Sequence, residues 1–195
     1  LDRLPLKDLW EVSLGYDYSV FVRDFDGWHM ARLAIRRDWP AFSLGVESPA
    51  GSRFGRWDHA LAVDTYFATW SRAYANVRVQ AATRASFLPQ LDASATLYQG
   101  LGSIWELALG YRFLGFADNA VHLVNGAGAI NIRSWLLRWQ TTLATDHRTL
   151  SHNFLARRYL RTADDFFEVG AGVGEEAVPL GAGEAIDLGD AVATK

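Results

Sequence analysis

The chain has 195 residues, 50% of them hydrophobic, 13% aromatic and 21% charged, which suits one domain and is too apolar for disorder. A formal net charge of -3 excludes the basic footprint of a nucleic-acid binder. Cysteine is absent, which removes disulfides, thiolate metal sites and a cysteine nucleophile together.

From the start of the chain the period is two. Segment 10–23 sets Trp10, Val12, Leu14, Tyr16, Tyr18, Val20 and Val22 against Glu11, Ser13, Gly15, Asp17, Ser19, Phe21 and Arg23, an alternation that a helix does not give. Turn signals then follow at Asp26-Gly27, Asp38-Trp39-Pro40, Ser48-Pro49-Ala50-Gly51, Leu88-Pro89, Gly100-Leu101-Gly102, Asp118-Asn119, Asp146-His147-Arg148 and Thr162-Ala163-Asp164. Between them eleven strands are predicted, near 10–23, 28–37, 41–48, 57–69, 73–83, 90–99, 104–115, 120–132, 135–145, 149–161 and 165–174. Turns spaced by about 12 to 17 residues exceed the roughly 8 to 12 of small sandwiches and barrels, so these strands are long. The tail that follows is rich in Gly, Ala and acids, with a weak twelfth strand near 184–194. No run of about 18 apolar residues offers a transmembrane helix, and "LDRLPLKDLW" lacks the apolar region of a secretory signal.

The two faces of these strands differ in an unusual way. In 105–113, Trp105, Leu107, Leu109, Tyr111 and Phe113 oppose Glu106, Ala108, Gly110 and Arg112; Phe42, Leu44 and Val46 likewise oppose Ser43, Gly45 and Glu47. Lysine, the usual residue of a wetted sheet surface, occurs only at Lys7 and Lys195. The polar face uses arginine instead, whose planar fork suits an enclosed ionic network. Its acids are Glu11, Asp17, Glu47, Asp64, Asp92, Glu106 and Glu168; its bases are Arg32, Arg36, Arg78, Arg112, Arg138 and one of Arg157 or Arg158. The balance is nearly neutral. Tryptophan gathers at strand ends, at Trp10, Trp28, Trp39, Trp57, Trp70, Trp105 and Trp135, with only Trp139 in mid-strand. Aromatic girdles at two membrane interfaces produce this distribution. The expected fold is therefore an all-β, antiparallel transmembrane β-barrel with bulky side chains facing lipid and small and charged ones lining the lumen.

From about Phe87 onward the chain resembles the YaiO family of bacterial outer-membrane β-barrel proteins. The resemblance rests on "LYQGLGSIWELALGYRFLGFADNAVHLVNGAGAI" (97–130), "SWLLRW" (134–139) and "ARRYLRTADDFFEVGAGVGEE" (156–176). It implies the outer membrane of a Gram-negative bacterium and a barrel that is sometimes the C-terminal part of a chain with helical repeats before it. Residues 1–195 are accordingly expected to form a single barrel domain, which the resemblance also allows to be the C-terminal part of a longer chain. Single-chain bacterial barrels have even strand numbers, so with 11–12 visible strands the closing strands are expected to be missing or supplied otherwise, for about 12–14 in all.

Chemistry is sparse. Ser151 and His152 are adjacent and so point to opposite faces, which bars them from acting as nucleophile and base. Glu106 and Arg112 share a face but lie six residues apart, about 20 Å along a strand. No catalytic residue, metal site or cofactor is expected. The leading functional expectation is a membrane anchor or assembly component of a cell-envelope machine, its lumen largely filled by the Arg/Asp/Glu network. Its expected partners are outer-membrane lipids and a periplasmic or envelope protein, with no nucleic acid. The alternatives are a conduit for a solute such as polysaccharide, a barrel lipid hydrolase using His122 or His152, and a soluble lipocalin-like carrier with its apolar face turned inward.

Overall fold

Each strand finds its partners in the strands next to it along the chain, so the sheet is a continuous meander. The computed structural model describes residues 9–19, 27–53, 55–83, 85–146, 148–161 and 165–174. They form β1 (Leu9–Ser19), β2 (Trp28–Asp38), β3 (Phe42–Arg53), β4 (Arg56–His59), β5 (Leu61–Ala68), β6 (Ala73–Ala81), β7 (Leu91–Leu101), β8 (Trp105–Gly115), β9 (Ala120–Ile132), β10 (Trp135–Ala144), β11 (Thr149–Tyr159) and β12 (Phe166–Gly174). The sheet runs β1-β2-β3-β5-β6-β7-β8-β9-β10-β11-β12, with β4 paired to β3, and every ladder is antiparallel. No helix occurs among the described residues. The weak strand expected at 184–194 lies outside them.

One boundary differs from the sequence expectation. Ser48-Pro49-Ala50-Gly51 reads as a turn, yet all four residues lie within β3, which continues to Arg53. Pro49 has no N–H and so costs one rung of the ladder; its carbonyl still accepts the Ala60 N–H at 2.9 Å. That missing rung separates β4 from β5, which otherwise follow one register on β3, with Ala50 opposite His59 and Glu47 opposite Ala62. Before β4 the chain passes through Gly55, which adopts a φ of 70°, a left-handed conformation that costs glycine little.

The apolar side chains do not converge on a centre. Leu14 is 81% exposed, Leu109 64% and Val173 66%, whereas the charged Asp92 on the opposite face is 2% exposed. An apolar surface running over every strand is far beyond what water tolerates. It is the surface that hydrocarbon requires, and strands of about 9 to 11 residues, the length of β1, β2, β7, β8 and β11, cross a bilayer when tilted. The soluble carrier with its apolar face inward is thereby excluded. At the rim where β1 begins, the connections 39–41, 69–72, 102–104 and 133–134 are short; we term it the turn rim. The opposite loop rim carries 82–90, 116–119 and 145–148.

Candidate functional site

Small residues on the polar face let arginines reach across strands. Gly45 of β3 stands between Arg36 of β2 and Asp64 of β5, and a Cβ there would collide with the Asp64 carboxylate. With no side chain in the way, Arg36 donates to Asp64 at 2.7 Å. Arg78 of β6 similarly reaches over β5, where Ala62 sits, and donates to both oxygens of Glu47 at 3.0 and 3.3 Å. Arg112 grips Asp92 in a fork, at 2.9 and 2.6 Å. Arg157 donates to Glu168 at 2.5 Å, and Arg32 pairs with Asp17. These five bridges tie β1 to β2, β2 to β5, β3 to β6, β7 to β8 and β11 to β12.

All twelve residues of the expected lumen network occupy polar-face positions, but they do not form one connected system. Glu11 lies opposite Arg36 in the β1–β2 ladder, while Arg36 bonds Asp64. Glu106 accepts the Tyr74 hydroxyl at 3.1 Å, and Arg138 donates to Gln140 at 3.2 Å. Of the two candidates at 157 and 158, Arg157 faces inward to Glu168; Arg158 lies on the apolar face over the Trp135 ring, 5.6 Å from its centroid. A tyrosine row runs nearby toward the turn rim. Tyr74 and Tyr98 stack at 4.5 Å, Tyr66 tilts against Tyr74 at 6.4 Å, and Arg36 covers Tyr66 at 5.1 Å.

At the loop rim the polar face closes over. Residues 85–90 fold back so that Asp58 Oδ2 accepts the backbone N–H groups of Ser86, Phe87 and Leu88 at 2.7, 2.7 and 2.9 Å. Leu88 packs with Ala60 and Ala82, and Met30, Ala85 and Phe87 pack around them. A second apolar cluster, Leu114, Val121, Leu123 and Ala144 with Phe116, covers the same rim over β8 to β10. Asp58 belongs to the β3–β4 hairpin, past the last β5–β6 rung at Leu61 and Ala81. Burial alone would raise its pKa. The N–H groups of Phe87, Leu88 and Ser86, helped by His59, outweigh that penalty and hold the carboxyl below its ordinary value. Asp58 was not among the acids expected on the polar face, and because its partners are backbone groups of a loop, no sequence pattern pointed to this latch.

The tryptophans are unevenly divided. Trp10, Trp39, Trp70, Trp105 and Trp135 lie at the turn rim, and Trp57 projects from the apolar face at the loop rim. Trp28 is also at the loop rim but shares the strand phase of Arg32 and Arg36, and Arg53 stacks on it at 3.4 Å. His29, His59, His122 and His152 all occupy apolar-face positions, whereas Ser151 is on the polar face, so no Ser151–His152 couple forms. Among the described residues no three His, Asp or Glu side chains gather as a metal site.

The comparisons agree with this architecture. Residues 10–178 match the family described as the YaiO membrane beta barrel domain. Searches of curated proteins and of solved structures give no significant match.

Proposed function

The chain belongs to the YaiO family of membrane β-barrels, and from that premise we propose that it is an occluded outer-membrane barrel of a Gram-negative bacterium. It acts as an anchor or assembly component of an envelope machine, with its short turns toward the periplasm, as is usual for bacterial barrels. The observation that carries the reading is the segment 85–90, folded onto the inner wall and fixed by three N–H groups on Asp58. Below it the Arg/acid bridges fill the wall with mutually satisfied side chains rather than leaving charges to draw a solute. The reading assigns no catalytic residue. Its partners are outer-membrane lipids and an envelope protein at the periplasmic side. The test is conductance of the purified protein in a planar bilayer. Silence is expected; steady open channels would overturn the anchor reading in favour of a conduit for a solute such as polysaccharide.

A further inference from the structure

Two arginines, Arg37 and Arg158, stand on the apolar face of the described strands, and no carboxylate shares that face with them. A guanidinium is permanently charged and carries five N–H donors. On the polar face Arg32, Arg36, Arg78, Arg112 and Arg157 each hold a carboxylate. Arg37 holds only rings. Its Cζ lies 5.2 Å from the Trp10 ring centroid and 4.8 Å from that of Trp39, and Trp39 is itself fixed by stacking on Phe42 at 4.6 Å.

A ring face attracts the charge but accepts none of the in-plane N–H donors. Arg37 Nε is buried and meets no acceptor among the described residues, so whatever satisfies the group must reach its Nη atoms. Asp38, the next residue, has the polar-face phase of Arg36 and belongs to the other side of the sheet. On the apolar side Leu44 stands opposite Arg37, and Ile35, the next position inward, lies between Val12 and Val46. A charge beside hydrocarbon with no internal partner is costly. A phosphate in the headgroup layer supplies the missing acceptor, and its paired oxygens match the guanidinium fork.

We propose that Arg37, braced by Trp10 and Trp39, binds the phosphate of an anionic phospholipid at the turn rim, its acyl chains running over Ile35, Val12 and Val46. A fixed positive charge with no acid on its face selects a head of net negative charge; a zwitterionic head brings an ammonium for which this face has no carboxylate. The apolar ground below Arg37 suits a lipid rather than a free anion. This rests on the membrane barrel, not on whether the lumen conducts, so conductance and lipid retention fail independently. Arg158 is the built-in control: it lies over one ring, Trp135, at 5.6 Å, and the connection beyond it contains an acid, Asp165.

The test is native mass spectrometry of the full chain in detergent with phosphatidylglycerol or phosphatidylcholine. The wild type is expected to retain phosphatidylglycerol about five-fold better than phosphatidylcholine, the factor that one arginine at a membrane surface supplies, and to release it as ionic strength rises. Arg37→Gln abolishes the preference. Arg37→Lys, which keeps the charge and loses the fork, weakens retention, and Arg158→Gln leaves it intact. Heat-modifiable gel migration verifies folding; should Arg37→Gln fail to fold, Arg37→Lys and the contrast between the two lipids decide. Equal retention of the two lipids by the wild type, wild-type retention in folded Arg37→Gln or Arg37→Lys, its loss in Arg158→Gln, or full displacement by inorganic phosphate, which marks a site for the free anion, would each overturn the proposal.

Discussion

The two rims of the sheet are ends of the same strands and yet differ in chemistry. At the turn rim, tryptophans are braced by permanent charge and amide: Arg37 lies over Trp10 and Trp39 at 5.2 and 4.8 Å, Arg158 over Trp135, and Trp70 Nε1 donates to Gln99 at 2.7 Å. At the loop rim, the outward positions carry imidazoles bonded to hydroxyls, while apolar clusters and the Asp58 latch cover the polar face. One end is built as a fixed interfacial anchor. The other is covered on its polar face by the Asp58 latch and carries imidazole–hydroxyl pairs on its apolar face. Alternation assigns a residue to a face; the distance from each rim decides what that face meets.

The largest effects should come where the loop-rim half buries charge. Asp92 and Arg112 are 3% and 12% exposed at their side chains, whereas Glu168 and Arg157, toward the turn rim, are 19% and 29% exposed. Removing one member of a buried pair typically costs about 3–5 kcal/mol because the other remains desolvated. Asp92→Ala should therefore destabilise the barrel by about that much, and Glu168→Ala by no more than about 1 kcal/mol, as for solvated pairs. Urea unfolding in lipid vesicles measures both. Equal losses would mean that the two halves of the wall are alike.

Depth gives the next effect. Leu109 sits mid-strand on the apolar face and Trp105 at its turn-rim end. Arginine at the midplane of a barrel's lipid face costs about 2–4 kcal/mol and near an interface about 0–1. Leu109→Arg should thus cost several times more than Trp105→Arg in the same unfolding assay. A reversed order would place the hydrocarbon somewhere other than across the middle of β8.

Much of this was legible because a period of two survives any strand pairing. The polar-face positions of Glu47, Asp64, Arg78 and Glu106 followed from their apolar neighbours alone. What depended on register was not legible. Arg157 and Arg158 are adjacent with opposite phases, and only the pairing with Glu168 separates them. The reach of Arg36 to Asp64 needs Gly45 between them, two ladders that share no local sequence. Ser48-Pro49-Ala50-Gly51 misled because proline and glycine are turn formers by propensity, while here one missing rung is tolerated inside β3. The latch at Asp58 was beyond reach, since its partners are backbone groups of a loop with no sequence signature.

The smallest effect concerns that latch, and it would show whether closure of the loop rim is local. Asp58 is 3% exposed and accepts three N–H groups, so Asp58→Asn should weaken the loop by about 1–3 kcal/mol, the cost of unsettling buried hydrogen bonds. Because the folded carboxyl titrates below its ordinary value, the charged form is favoured by folding. Its contribution is complete above the unfolded value, near 3.9 for aspartate, and is lost as pH falls toward the folded one. Hydrogen-exchange protection of the amides at 86–88 should thus differ between wild type and Asp58→Asn by a constant amount above about pH 4, and the difference should shrink below it. Protection at the turn rim should not respond to the substitution at any pH. No gap between wild type and Asp58→Asn at any pH would mean that the loop is held by its apolar contacts with Ala60 and Met30 rather than by the carboxylate.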